Sequence, residues 1–104
     1  MLVKTNKSTN GTSFHYSTIT ATVNELISII GEPVYDGNTG EDKVNIEWEL
    51  EDDNGNVVTI YDWKEYRMIG YDEKIEWHIG GMRKDITDNV KGEIEYMLRF
   101  PSEY

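Results

Sequence analysis

From Val44 to Glu51 the chain places one apolar side chain at every second position. Val44, Ile46, Trp48 and Leu50 alternate with Asn45, Glu47, Glu49 and Glu51. A period of two is what a half-buried strand requires, because successive side chains point to opposite faces of a sheet. Asp53-Asn54-Gly55-Asn56 follows, and Asn-Gly favours a tight hairpin because a type I′ turn needs positive φ at both central positions. The run Val57 to Trp63 then folds back on the first strand. Centring the turn on Asn54-Gly55 sets Trp48 opposite Tyr61, Ile46 opposite Trp63 and Leu50 opposite Thr59, so the large residues share one face. The reverse face then carries Glu47, Glu49 and Glu51 with Val58, Ile60 and Asp62. A one-residue bulge at the turn exchanges the faces of the second strand only.

The remaining elements follow from caps and periodicity. Thr22-Val23-Asn24-Glu25 is a capping box, and Val23, Leu26, Ile27 and Ile30 recur at helical spacing before Gly31 and Pro33, which predicts a helix over 23–30. Ile75, Trp77 and Ile79 alternate with Glu76 and His78, a third strand ending at Gly80-Gly81. Ile86, Val90, Ile94, Met97 and Leu98 form one stripe of a second helix over 85–99, starting at Asp85 or Thr87 and weakened at Gly92. Residues 1–19, rich in Ser, Thr and Asn, read as a flexible polar arm or an edge strand, and residues 20–104 as a single domain. The expected fold is α+β: a three- or four-stranded antiparallel sheet with two helices packed on one face and the other face in water.

Twelve aromatic residues and an apolar fraction of 38% indicate a packed globule rather than an acidic disordered chain. Ten basic residues against twenty acidic ones leave a net charge of −10, which opposes direct binding to nucleic acid or to an anionic membrane. The charge is uneven, for Glu41, Asp42, Glu47, Glu49, Glu51, Asp52 and Asp53 face only Lys43 within residues 41–53. There is no cysteine, and therefore no disulfide or thiolate chemistry. No apolar run approaches the ~20 residues that span a bilayer, and no signal-peptide core is visible, so the expected compartment is the cytoplasm.

The search for chemistry is mostly negative. Asp52, Asn54 and Asn56 have the spacing of a calcium loop, but Val57 stands where it needs glycine and Trp63 where it needs glutamate. His15 and His78 lack metal-ligand spacing, and neither sits in a nucleophile motif. No cofactor, metal or catalytic residue is expected, and the chain reads as a non-enzyme. Gly80, Gly81, Arg83 and Lys84 resemble a weak anion site ahead of a helix, the basis of an alternative in which the protein sequesters a nucleotide signal. The main positive signal is the acidic strand face. Glu47, Glu49 and Glu51 repeat at ~7 Å, comparable to charge spacings along a nucleic-acid backbone, and with Asp52, Asp53 and Ile60 they form the expected contact surface for a basic protein.

Ile60 to Arg67, IYDWKEYR, with Glu76 to Gly81, EWHIGG, and a capped helix ending in Gly31-Glu32-Pro33 resemble small accessory proteins of tailed bacteriophages. The resemblance implies a phage protein acting inside its bacterial host, a group in which inhibitors of host defence and of host enzymes are frequent. It supplies no site residues. The resulting expectation is an acidic inhibitor of a basic host protein that handles nucleic acid or defence. A structural or homo-oligomeric phage component is a further alternative.

Overall fold

The computed structural model describes residues 1–101. Its elements run β1 (Val3–Lys4), β2 (Ser13–Ala21), α1 (Val23–Ile30), β3 (Tyr35–Asp36), β4 (Ile46–Glu51), β5 (Val57–Tyr61), β6 (Ile75–Gly81) and α2 (Lys84–Arg99). Among the described residues the class is α+β with two helices, as the patterning predicts, but the sheet has six strands rather than three or four. The order is β1-β4-β5-β6-β2, all antiparallel, with β3 also on β4. The additional strands are β1 and β3, two residues each. They lie along the outer edge of β4, Lys4 against Leu50 and Tyr35 against Glu47. Segments this short have no readable periodicity.

The hairpin differs from the expected register by one residue. Trp48 pairs with Ile60, Leu50 with Val58 and Glu47 with Tyr61. The loop is responsible, because the Asp52 N–H donates to the Asn56 carbonyl and the Gly55 N–H to the Asp52 carbonyl, leaving three residues between the paired ends. Within it only Gly55 has positive φ, at 78°, the mark of a type I turn closed by a glycine bulge rather than of type I′. The second strand is thereby turned over. Val58 and Ile60 are fully buried beside Trp48 and Leu50, while Thr59 and Tyr61 join the carboxylate face.

One cluster forms the core, and its members on the sheet and on both helices define the covered face. Ile46, Trp48, Leu50, Val58, Ile60, Trp77 and Ile79 meet Val23, Leu26 and Ile30 of α1 and Ile86, Val90, Ile94 and Met97 of α2. Thr22 and Glu25 of α1 form the reciprocal capping box. Trp48 and Trp77 pack edge to face, with centroids 5.4 Å apart. Their indole N–H groups donate to carbonyls at opposite ends of α1, Trp48 to Gly31 at 2.7 Å and Trp77 to Ala21 at 3.0 Å. Buried indoles need such partners, and here the requirement fixes the seat of the helix. On α2, Arg83 occupies the cap position without a side-chain cap, and Asp85 falls in the first turn.

Of the two expectations for the N-terminal segment, arm or edge strand, the structure shows the second, with β1 and β2 as edge strands joined by a strap. Because β1 and β2 lie at opposite edges of the sheet, residues 5–12 must cross it, and they do so over the face away from the helices. The Thr5 N–H donates to the Glu49 carbonyl, and Lys7 reaches Glu51 and the Gly55 carbonyl. The expected boundary at residue 19 falls inside β2, whose pairing with β6 is interrupted by a bulge between Phe14 and Thr18. Tyr16 sits in that bulge at φ 71° and is 85% exposed, an uncommon conformation for a bulky residue. Beyond it Ser17 bonds to Thr87 and Asp88, and Lys91 of α2 donates to the Thr18 carbonyl.

Asp62, expected among the solvent-facing carboxylates, is fully buried. It accepts from the Asn45 N–H at 2.8 Å, the Ile46 N–H at 2.9 Å and the Asn45 side-chain amide at 3.0 Å. Replacing Asp62 with alanine would strand these donors in the interior. A loss of about 2–4 kcal/mol is expected, read as a lowered thermal midpoint. Asp42→Ala, at an exposed position, should stay within ~0.5 kcal/mol, and equal midpoints for the two variants would refute the role given to Asp62.

Candidate functional site

The predicted contact residues separate into three places. Glu47, Glu49 and Glu51 lie on the face of the sheet away from the helices, each partly exposed. Asp52 and Asp53 belong to the hairpin turn, beside Asn89 and Glu93 of α2. Ile60 is in the core, 0% exposed, and cannot be a surface contact. The turned-over register of β5 accounts for this, since it sends Ile60 to the helix side.

The three glutamates differ in state. Glu51 accepts from Lys7 at 3.1 Å and from the Thr5 hydroxyl at 2.9 Å, and these bonds hold its carboxyl below the usual range. Glu47 is the opposite case. Burial beneath its neighbours, reinforced by the adjacent Glu49 carboxyl, pushes it up to about 7, as expected when two carboxylates share a poorly hydrated site. Among the described residues no lysine or arginine lies within ion-pair distance of Glu47 or Glu49. At the turn, partial burial acts to raise the Asp52 carboxyl, but bonds from Asn56 and Asn54 outweigh it and lower the net value. Those bonds close the turn and occupy the oxygens that a calcium loop would offer to a cation.

A pocket of about 220 Å³ opens beside Glu47, lined by Thr9, Thr12 and Ser13 of the strap and β2, by Val44 and Trp63 of the flanking loops, and by Thr59, Tyr61 and Gly80 of the sheet. Gly80 makes its floor: a Cβ there would stand 2.5 Å from the Thr59 hydroxyl oxygen and 3.5 Å from the Tyr61 ring. Around it lies an aromatic group. Phe14 stacks on His78 with centroids 4.0 Å apart, His78 lies 5.5 Å from Tyr61, and Tyr61 meets Trp63 edge-on at 6.3 Å. Burial lowers the His78 pKa against the opposing pull of Glu76, and burial followed by the charge of Glu47 raises that of Tyr61. Lys43 and Lys64 sit over the Trp63 ring at 5.9 and 5.5 Å, within cation–π range. Phe14, the Tyr61–Trp63 pair and His78 come from three separate stretches of the chain, and only the strand register unites them.

The alternative anion site does not converge. Gly80 and Gly81 are paired strand residues, and a Cβ at Gly81 would meet Thr87 and Ile86 on the helix side. Arg83 is bonded to Asp85 and Lys84 to Asp88. Each cation therefore already has a carboxylate beside it. No helix among the described residues is long and apolar enough to cross a membrane. Comparison with protein-family models, with curated proteins and with solved structures finds no match.

A raised carboxyl pKa has a definite signature in stability. Between its unfolded value near 4.5 and its folded value of about 7, Glu47 holds more proton in the folded state than in the unfolded one. Stability must therefore fall as pH rises through that window and level off above it. Urea unfolding of the wild-type protein and Glu47→Gln from pH 4 to 8 should show wild-type stability declining relative to the variant across that range. A difference that does not change with pH would remove the assignment.

Proposed function

We propose that the protein is a non-enzymatic binding module whose acidic sheet face receives a basic surface of another protein. One observation carries this reading. Glu47 and Glu49 stand side by side, partly buried, with no lysine or arginine among the described residues within ion-pair distance. Six of the ten lysines and arginines instead serve a carboxylate elsewhere, Lys7 at Glu51, Arg67 at Glu65 and Glu73, Lys74 at Glu25, Arg83 at Asp85, Lys84 at Asp88 and Lys91 at Glu95. A half-desolvated carboxyl pair without a counter-charge is costly in isolation and is relieved when a positive group is supplied from outside.

The likeness of Ile60–Arg67 and Glu76–Gly81 to accessory phage proteins makes the proposed partner a bacterial host protein, and the proposed effect inhibition of a defence or nucleic-acid-handling function. Mimicry of a regular phosphate row is the weaker version of this reading. Lys7 neutralises Glu51, and Glu47 is half protonated near pH 7, so the strand does not present three equal charges. Recognition of basic side chains one at a time fits the face better.

The reading is tested with fluorescein-labelled peptides, one rich in arginine and lysine and one acidic control, by anisotropy at low and high salt. The basic peptide should bind, weaken as salt rises, and weaken about tenfold or more with Glu49→Lys. Glu95→Lys, on α2, should bind like the wild type. Absence of binding by the basic peptide, or binding indifferent to salt and to Glu49→Lys, would overturn the proposal.

A further inference from the structure

We infer that the pocket beside Glu47 is a socket for a single arginine side chain of the partner, its guanidinium held between the Glu47 carboxylate and the Tyr61 and Trp63 rings. The inference deepens the proposed function and rests on it for the partner's identity, but its chemistry is argued from the pocket alone.

Size comes first. A volume of about 220 Å³ lies below the ~300–1,000 Å³ of sites that enclose a whole drug-sized ligand, and suits one long side chain. The walls come next. Tyr61 and Trp63 supply aromatic surface, and Trp63 already attracts the ammonium groups of Lys43 and Lys64, although neither lysine lines the pocket. The polar groups are a carboxylate from Glu47 and hydroxyls from Thr9, Thr12, Ser13 and Thr59. All of these can accept hydrogen bonds, and a guanidinium brings five N–H donors and no acceptor. An ammonium brings three donors and no planar face to lay against a ring, which favours arginine over lysine. An anion would face Glu47 with no cation among the lining residues. Gly80 completes the case, because any side chain there would fill the floor against Thr59.

Proton linkage gives a second readout. The titratable groups that face Glu47 are Glu49 on its own strand and the neutral Tyr61 phenol on β5; Tyr35 faces it from β3, His78 lies behind Tyr61 on β6, and Lys43 and Lys64 stand over the Trp63 ring. A guanidinium competes with the proton that Glu47 carries up to about pH 7. Arginine must therefore bind more tightly as pH rises from 6 to 8.

The experiment is a titration of the full chain with N-acetylarginine amide, followed by two-dimensional ¹H–¹⁵N NMR at pH 6, 7 and 8. N-acetylcitrulline amide, neutral and of the same shape, is one control, and N-acetyllysine amide the other. Arginine amide should perturb the amides of Glu47, Thr59, Tyr61, Trp63 and Gly80, with a dissociation constant on the order of millimolar for so small a ligand. Lysine amide should bind more weakly and citrulline amide not at all. Glu47→Gln, which preserves size, should weaken arginine binding about tenfold and abolish its pH dependence, its unchanged spectrum elsewhere showing that it is folded. Gly80→Ala should block the pocket by occupancy of its floor. Equal binding of citrulline and arginine amides, shifts located away from these residues, or undiminished binding by Glu47→Gln would each overturn the inference. Arginine amide failing to bind while basic peptides still do so in a salt-dependent way would overturn the socket and spare the sheet-face reading. The reverse result would spare the socket and overturn the sheet-face reading.

Discussion

A single buried carboxylate holds together the parts of this protein that matter for its surface. Asp62 directly follows the second hairpin strand and accepts three hydrogen bonds from Asn45 and Ile46. Asn45 in turn accepts from the Gly40 N–H and donates to the Arg67 carbonyl, while Asn38 exchanges two bonds with the backbone of Ile69. Two long irregular loops, on either side of the hairpin, are thereby sewn to each other by side-chain amides and one acid. Their bonds set Val44 and Trp63 at the rim of the pocket. Polar networks of this kind are stabilising only when every member is satisfied, and each of these groups has its partner.

The sequence and the fold agree where periodicity or capping chemistry is strong. The alternation from Ile46 to Glu51, the Thr22–Glu25 box and the Ile86–Met97 stripe all appear as read. Agreement fails where one residue decides the outcome. Asn54-Gly55 is compatible with either a two-residue or a three-residue loop, and the Asp52 carboxylate, by accepting from both Asn54 and Asn56, selects the longer. That choice moved Ile60 from the expected contact surface into the core and brought Tyr61 beside Glu47. Asp62 departs from the pattern for a related reason: a carboxylate at a strand end reads as solvent-facing in sequence, whereas its donors lie far along the chain, seventeen residues away for Asn45. The pocket was illegible because its walls come from four separate stretches of chain, including a strap of Ser, Thr and Asn whose composition resembles that of a disordered tail.

Charge is distributed with an economy that residue counting hides. With half as many bases as acids, the chain cannot neutralise itself. Six of the described cations are committed to carboxylates on loops, strand ends and helix surfaces, and Glu47 and Glu49 of β4 are among the acids left without one. These two stand on a strand paired to β5, and Glu47, beside the Tyr61 ring, is partly removed from water. Electrostatic interactions are stronger in such a place than on an open helix, so a carboxylate there is more sensitive to a nearby charge than one on a solvated helix surface.

The bulge at Tyr16 has a consequence for the sheet as a whole. An open antiparallel sheet has two borders at which another chain could add a strand, and long flat borders invite polymerisation. Here one border is broken by the bulge, by an exposed tyrosine held in a left-handed conformation and by Lys91 claiming the Thr18 carbonyl. The other is covered by two fragments of two residues each. Neither border offers a continuous template for growth into a fibre. Whatever meets this sheet must meet it broadside, through side chains rather than through backbone.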